Sequence, residues 1–371
     1  MTTLGIDASA LLKPNPTGVE NYARFLLASM MAEPLAEGER VLLYARGEQP
    51  DGFMLPNGWE WKSLPFSMSK GWTHFRLSRE LHEHSPDVFF SPAHEIPFAT
   101  GTSKVVTTIH DVAFAVHPKL YSRLQNIRQR LAVRYAVSKA SRIIAVSEVT
   151  KSDLAEYFKA SAEKISVIHH APTMTEKPTS EIIEAVLAKH HLEREKYFFY
   201  LGRIEDKKNV RVIVEAFNLY KLYKMTSVKL ILAGGLSYGG AAIKTLAESS
   251  NASKDIVFLG YVDDADAPGL YAGALAFVFP SVAEGFGLPV LEAMSMGTPV
   301  LLSDIPVFHE VAGSAAIYVS SSDARAFAEK MKELAESAEL RLSLRDRGLA
   351  QAEKYTWTET AKKTWIALRS V

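Results

Sequence analysis

Short apolar runs alternate with stretches of helical spacing along almost the whole chain. In the first half the runs are Thr3–Asp7, Val41–Tyr44, Asp87–Phe90, Lys104–Ile109, Arg142–Val146 and Ile165–Ile168. Within them apolar residues follow one another instead of alternating with polar ones, which marks strands buried on both faces of a parallel sheet. Between the first two runs, Val19, Tyr22, Ala23, Leu26, Leu27 and Met30 recur at helical spacing, an apolar stripe for a core. The pattern then breaks. From His169 to Glu195 there are Pro172, Pro178 and a polar helical stretch without a clear strand. It restarts with Tyr197–Leu201, Val228–Ala233, Ile256–Leu259, Leu275–Phe279, Pro299–Leu302 and Ala316–Val319. Two such series predict an α/β protein with two Rossmann-like parallel-sheet domains facing a cleft. The expected divisions are 1–172, a linker at 173–195, and 196–354.

Length agrees, since 371 residues exceed the ~250–300 at which single cores stop growing. Lys plus Arg and Asp plus Glu number 42 each, so the global charge argues against a nucleic-acid binder. No cysteine is present, which excludes disulfide and thiolate chemistry and suits the cytoplasm. The N-terminus lacks a basic-then-apolar signal pattern. No apolar run approaches the ~18 residues of a membrane span, so membrane contact is expected to be peripheral if it occurs.

Ligands of open α/β sheets bind at the carboxyl ends of the strands, and candidate chemistry gathers there. Asp7 ends the first run. His110 and Asp111 follow Lys104–Ile109, and Gly202 and Arg203 follow Tyr197–Leu201. Glu284 and Glu292 stand eight apart after Leu275–Phe279, with Gly285, Phe286, Gly287 and Leu288 between them. Pro289 suits a helix start and Gly297 its end. One carboxylate then sits on a loop and the other a turn into a helix, beside amides that suit a diphosphate. Arg203 and Lys208, five apart on one loop, are cations of the kind that neutralise a leaving diphosphate. No cluster has metal-ligand spacing. His169 and His170 are adjacent, and neighbours on an extended chain point to opposite faces, so they are read as structural or as a hinge.

Phe279-Pro-Ser-Val-Ala-Glu-Gly-Phe-Gly-Leu-Pro-Val-Leu-Glu292 resembles the Glu-x7-Glu motif of retaining GT-B glycosyltransferases of family 4. Gly5-Ile-Asp-Ala-Ser, Thr17-Gly-Val-Glu-Asn-Tyr22, Thr107-Thr-Ile-His-Asp-Val-Ala-Phe114, Ala145-Val-Ser-Glu-Val-Thr150 and Gly202-Arg-Ile-Glu-Asp-Lys-Lys-Asn209 match in the expected order. The resemblance implies a donor subsite on the second domain, made by Gly202, Arg203, Lys208, Glu284, Gly285, Phe286, Gly287, Leu288 and Glu292. It gives Glu292 the ribose and Glu284 the donor sugar. It sets Val262 against the base through its backbone, and Gly18 against the diphosphate and the acceptor. His110 lies by the sugar, while Asp111 and Thr17 face the acceptor. The segment Asn15–Gly18 is expected to be mobile until substrate binds. Gly234-Gly235 is read as turn chemistry near the base. The final helix, 355–371, is expected on the first domain. The substrates implied are a nucleotide sugar, GDP-mannose by the bacterial α-mannosyltransferases of polysaccharide assembly, and a saccharide or lipid-linked saccharide. No resident cofactor or metal is implied.

From Lys119 to Arg142 there are seven cations (Lys119, Arg123, Arg128, Arg130, Arg134, Lys139 and Arg142) and no acid. Upstream, Trp61, Phe66, Trp72 and Phe75 interleave with Lys62, Lys70, Arg76 and Arg79. Basic plus aromatic character suits anionic lipid headgroups on the inner face of the plasma membrane. A solvated helix face is the other reading. Three further functions remain open on the same architecture: a UDP-sugar transferase, an epimerase, and a non-catalytic nucleotide-sugar binder. A dehydrogenase is disfavoured by the missing glycine fingerprint.

Overall fold

The computed structural model describes residues 2–14, 16–68, 70–174, 176–223 and 226–371. Asn15, the first residue of the segment expected to be mobile, lies outside them. The chain divides into two compact units. One takes in residues up to His170 together with Thr356–Val371; the other is Ala171–Tyr355.

The first unit is built on strands β1 (Thr2–Asp7), β2 (Glu39–Ala45), β3 (Trp59–Ser63), β4 (Val88–Ser91), β5 (Lys104–Ile109), β6 (Arg142–Ala145) and β7 (Ile165–Val167). Their order is β3-β2-β1-β4-β5-β6-β7 and the pairings are parallel. The second is built on β8 (Tyr197–Leu201), β9 (Lys229–Ala233), β10 (Ile256–Gly260), β11 (Ala276–Phe279), β12 (Val300–Ser303) and β13 (Ala316–Val319), in the order β10-β9-β8-β11-β12-β13. The apolar runs are buried as their composition requires: Phe277, Val278 and Phe279 are wholly covered. In each sheet the order reverses beside the first strand, at β1/β4 and at β8/β11. That is where loops diverge and leave a ligand crevice.

Three expectations are corrected. First, β3 was not foreseen, because Trp-Glu-Trp-Lys-Ser carries charges at every second position. It is an edge strand, and charges on an edge are what a sheet uses to block further pairing. Second, much of the aromatic stretch around it turns inward. Trp72 is buried and its indole N–H donates to the Leu64 carbonyl at 2.9 Å, while that of Trp61 donates to Gly47 at 3.0 Å. Phe66 packs on the same core cluster, leaving Phe75 exposed. Third, residues 173–195 are not a linker. They hold the helix Ser180–Lys189, capped by Thr179, which buries Ile183, Val186 and Leu187. Its partner is the helix Ala267–Gly273, where a Cβ on Gly269 would come 2.9 Å from Val186. The i, i+3, i+4 apolar triplet was present among the acids, but only packing shows that it faces a core.

The last helix, Trp357–Arg369, belongs to the first unit and packs on the helix Gly18–Met31. Trp357 stacks on Phe25 at 5.5 Å, and Arg369 grips Glu39 through two hydrogen bonds of 2.9 and 2.8 Å. Among the described residues no helix is long and apolar enough to cross a membrane.

Candidate active site

The second unit gathers most of the candidate groups at the carboxyl edge of β8 and β11. β8 ends at Gly202. The loop then runs through Arg203 into a short turn, Asp206–Lys208. Asn209 closes this loop in the left-handed conformation (φ 55°), and its side-chain amide donates to the Pro280 and Ser321 carbonyls at 3.1 and 2.6 Å. That clamp fixes the cationic loop to the loop after β11. Lys208 consequently lies 2.6 Å from the Glu284 carboxylate, both side chains mostly covered, with the ammonium 5.2 Å from the Phe279 ring centroid. Arg203 differs. Its guanidinium is 3.5 Å from Glu205 and its side chain is 70% exposed.

Gly285, Phe286 and Gly287 lead into the helix Leu288–Ser295, one residue earlier than Pro289 alone suggests. Gly287 has φ 93°, and a Cβ there would meet the Phe308 ring at 2.8 Å, so glycine is required twice over. Phe286 is buried edge-on against Tyr355 at 5.8 Å, while Leu288 is partly exposed. Glu292, four residues into the helix, is 7% exposed. Its carboxylate accepts from the Thr173 hydroxyl at 2.5 Å and the Tyr271 hydroxyl at 3.4 Å. Burial, aided by Asp264, pushes this carboxyl up to about 7 against the pull of those hydrogen bonds. Val262 is buried beyond the end of β10. Gly234 makes the neighbouring turn: its φ is 127°, and a Cβ would sit 2.0 Å from the Gly202 carbonyl oxygen.

The Glu292 shift has a testable sign. A carboxyl whose folded pKa is raised contributes nothing adverse below the unfolded value of ~4.3, and costs stability as pH rises towards 7. The cost reaches roughly 3–4 kcal/mol above pH 7, at ~1.4 kcal/mol per unit. Glu292→Gln is therefore expected to melt higher than wild type at pH 8, with the gap closing by pH 5. Parallel melting curves at both pH values would show that the carboxyl ionises freely in the fold.

In the first unit, His110 follows β5. One ring nitrogen, Nε2, lies 2.9 Å from the Pro92 carbonyl, so it carries the proton and Nδ1 is an acceptor. Burial pulls the imidazole down to about 4, leaving it neutral at neutral pH. Tyr22 and His170 hold the ring edge-on at 4.8 and 5.4 Å. His170 itself stacks on Tyr22 and Trp357, which gives this histidine a structural role. Asp111 accepts from the Ala113 amide at 3.1 Å and so shapes the turn after His110. Asp7 is buried and accepts from the Ser9 amide and hydroxyl at 2.9 and 2.5 Å; burial raises its carboxyl. Thr17 caps the helix Gly18–Met31, with its amide donating to Glu20 at 2.9 Å. A Cβ at Gly18 would meet nothing within 4 Å, so that glycine answers to no packing need of the fold itself.

Sequence reasoning missed Thr173, Tyr271, Tyr22 and Asn209 as partners of these groups. Thr173 and Glu292 are 119 residues apart, and neither carries a local signal of the other. Among the described residues no three of His, Asp and Glu gather as metal ligands would.

Similarity to known proteins gives these two sheets and their charged edge a class, the GT-B glycosyltransferases. Residues 16–171 match the description "Glycosyltransferase Family 4", and residues 183–351 match "Glycosyl transferases group 1". The O-antigen chain mannosyltransferase B of Escherichia coli is 30% identical over 290 residues, 78% of this chain and 76% of the relative. The O-antigen chain mannosyltransferase RfbU of Salmonella typhimurium is 28% identical over 65% of this chain and 63% of its own length. Among solved structures, the sucrose-phosphate synthase of Thermosynechococcus elongatus superposes with a TM-score of 0.78 at 17% identity, covering 100% of this chain and 99% of that one. HepE of Anabaena, solved with UDP and glucose, gives 0.74 at 19% over 100% of both chains. The chain belongs to glycosyltransferase family 4.

Proposed function

We propose that this protein transfers mannose from GDP-mannose to a saccharide acceptor with retention of anomeric configuration. The observation that carries the reading is the Lys208–Glu284 contact at the β8/β11 edge, with Glu292 in the helix that follows. Lys208 and the exposed Arg203 neutralise the diphosphate as the bond to C1 of the sugar breaks, since fixed charge aimed at a leaving group lowers the barrier. The same diphosphate lies over the first turn of Leu288–Ser295 and the Gly285–Gly287 loop. Glu292 takes the ribose hydroxyls, Glu284 the sugar hydroxyls, and the Val262 backbone the base. His110, being neutral, supports the developing oxocarbenium ion through its carbonyl or Nδ1. On the acceptor side stand Thr17, Gly18 and Asp111.

Attack is assigned to the front face, as the family resemblance implies. The acceptor oxygen bonds to C1 on the side the phosphate leaves, and the phosphate oxygen takes the acceptor proton. No resident cofactor or metal enters this scheme. Mannose is favoured because the relatives named above are O-antigen mannosyltransferases. The acceptor in this reading is lipid-linked, and the protein makes peripheral contact with the inner face of the plasma membrane.

A donor panel tests it. At a hundredfold excess over Kd a ligand stabilises by roughly 2.7 kcal/mol, a shift readily seen in a melting curve. GDP-mannose is expected to raise the midpoint where UDP-glucose and UDP-galactose do not, and product NMR should show an α linkage. Stabilisation by a UDP-sugar alone would replace this reading with its nearest rival.

A further inference from the structure

A cavity of about 330 Å³ opens in the first unit, apart from the groups described above. One wall is a single face of the sheet. Arg40, Leu42 and Tyr44 alternate along β2, and Glu60 and Lys62 along β3. The register sets Leu42 beside Glu60 and Tyr44 beside Lys62, with Thr3 of β1 beside Arg40. The other wall is the end of the helix Ser78–Glu83, where Glu80 and His84 are followed by Ser85 and Pro86. Gly5 makes the room that Tyr44 and Pro86 occupy: a Cβ there would come 2.7 Å from the Tyr44 ring and 2.8 Å from Pro86.

Tyr44 is wholly covered, and its hydroxyl has no hydrogen-bond partner among the described residues. A covered hydroxyl left unpaired costs the fold, and most buried polar groups avoid that state. Burial, then Glu80, pushes this phenol up to about 12, so it keeps its proton at neutral pH and can donate. Charge on the walls is mixed. Lys62 lies 3.5 Å from Glu60, Arg76 3.0 Å from Glu80, and Arg40 Nε donates to the Thr3 hydroxyl at 2.8 Å.

We propose that this cavity is a second binding site, one that takes a neutral saccharide unit. An anionic ligand would face Glu60 and Glu80, and a cationic one Arg40 and Lys62. A neutral hydroxyl donates one hydrogen bond and accepts two, so a ring carrying several hydroxyls matches donors and acceptors set side by side. Leu42 and Pro86 offer apolar surface for the C–H face of such a ring. The volume is at the small end of the ~300–1,000 Å³ of ligand pockets, which limits the occupant's size. The choice of a saccharide among neutral polyhydroxy ligands rests on the transferase reading. Thr3 and Arg40 begin their strands, and Ser85 and Pro86 precede β4, so the cavity lies toward the amino edge of the sheet. His110 and Asp111 follow the carboxyl end of β5. The saccharide held here is therefore not the one that reacts. It is a free sugar or a remote residue of a glycan chain.

Saturation-transfer NMR titrations on the full chain, without donor, test the proposal. The probes are α-methyl mannoside and an α-linked mannotetraose, with inorganic phosphate as competitor. Wild type should bind at least one sugar. Binding of the monosaccharide marks a free-sugar site, and binding of the tetraose alone marks a chain site. Tyr44→Phe should weaken binding about tenfold, the worth of one hydrogen bond. Its melting midpoint should not fall, because the deleted hydroxyl has no partner in the fold. Glu60→Gln/Lys62→Met changes two partly exposed side chains and should weaken binding at least as much with the fold intact. No binding by wild type, or binding unchanged in both variants, overturns the proposal. So does phosphate displacing the sugar, which would make this an anion site. A lower melting midpoint in Tyr44→Phe with sugar affinity intact also overturns it, since the hydroxyl would then serve a fixed water. Both variants should keep transfer to a monosaccharide acceptor. Failure of wild type to transfer, with sugar binding intact, would count against the transferase reading alone.

Discussion

Turnover in Lys208→Ala and in Arg203→Ala is expected to fall by about 10²–10³-fold, the usual cost of removing a charge partner of the transition state. The two variants should differ in stability. Arg203 is exposed on an open loop, and its loss should leave the melting midpoint near wild type. Lys208 is largely covered and 2.6 Å from Glu284, so Lys208→Ala strands a carboxylate that is itself only 9% exposed. That should cost about 1–3 kcal/mol. A position on an open loop alone would leave folding untouched in both variants; the ion pair changes that for Lys208. The decisive comparison is kcat against KM for donor. A transition-state role lowers kcat and kcat/KM together, whereas a purely structural Lys208 would lower the melting midpoint and leave kcat near wild type. Adding Glu284→Ala to Lys208→Ala should restore part of the stability but none of the turnover.

Donor affinity in Glu292→Ala is expected to drop roughly 10–100-fold, the worth of hydrogen bonds to a charged acceptor at ~1.5–3 kcal/mol. A ribose contact persists from ground state to transition state, so most of the loss should appear in binding. Glu284→Ala should hurt turnover at least as much, because contacts to the sugar can tighten as the ring flattens. A second signature comes from the raised carboxyl. Ribose hydroxyls favour the ionised form, so donor binding below pH 7 should release a proton. Calorimetry in buffers of differing ionisation enthalpy reads this directly. Equal donor affinity in wild type and Glu292→Ala would refute the ribose assignment. Binding without proton release would show that the donor leaves Glu292 protonated.

The parts of the site that were legible share one property: they are local. Glu284 and Glu292 flank a strand-to-helix turn, and Arg203 and Lys208 share one loop. Spacing alone fixes which sheet edge each occupies. The carboxyl-edge rule supplies the rest, because strand direction follows from parallel architecture. Six apolar runs in the second half correspond to β8–β13 within a residue or so at each end. In the first half β3 escaped, since a charged edge strand lacks the continuous apolar run used to find the others.

What the sequence by itself determined was therefore periodicity: two series of buried parallel strands, the helices between them, and the loops that carry cations and carboxylates. Tertiary structure decided which side of each element is covered, and which distant groups meet. Trp61 and Trp72 have the composition of a lipid-facing patch, yet their indole N–H groups find carbonyls inside the fold. Leu124, Ile127 and Leu131 have the composition of a core, yet solvent keeps them. The helix Ser180–Lys189 reads as a connection until the glycines at 269 and 273 make room for it. Glu292 is acidic by composition, and its proton affinity is set first by its own burial, then by a threonine 119 residues away and a tyrosine 21 residues away. A periodic pattern states that one face differs from the other. Only the full set of contacts determines what each face meets, because burial, and with it every shift in charge, depends on residues that no local window contains.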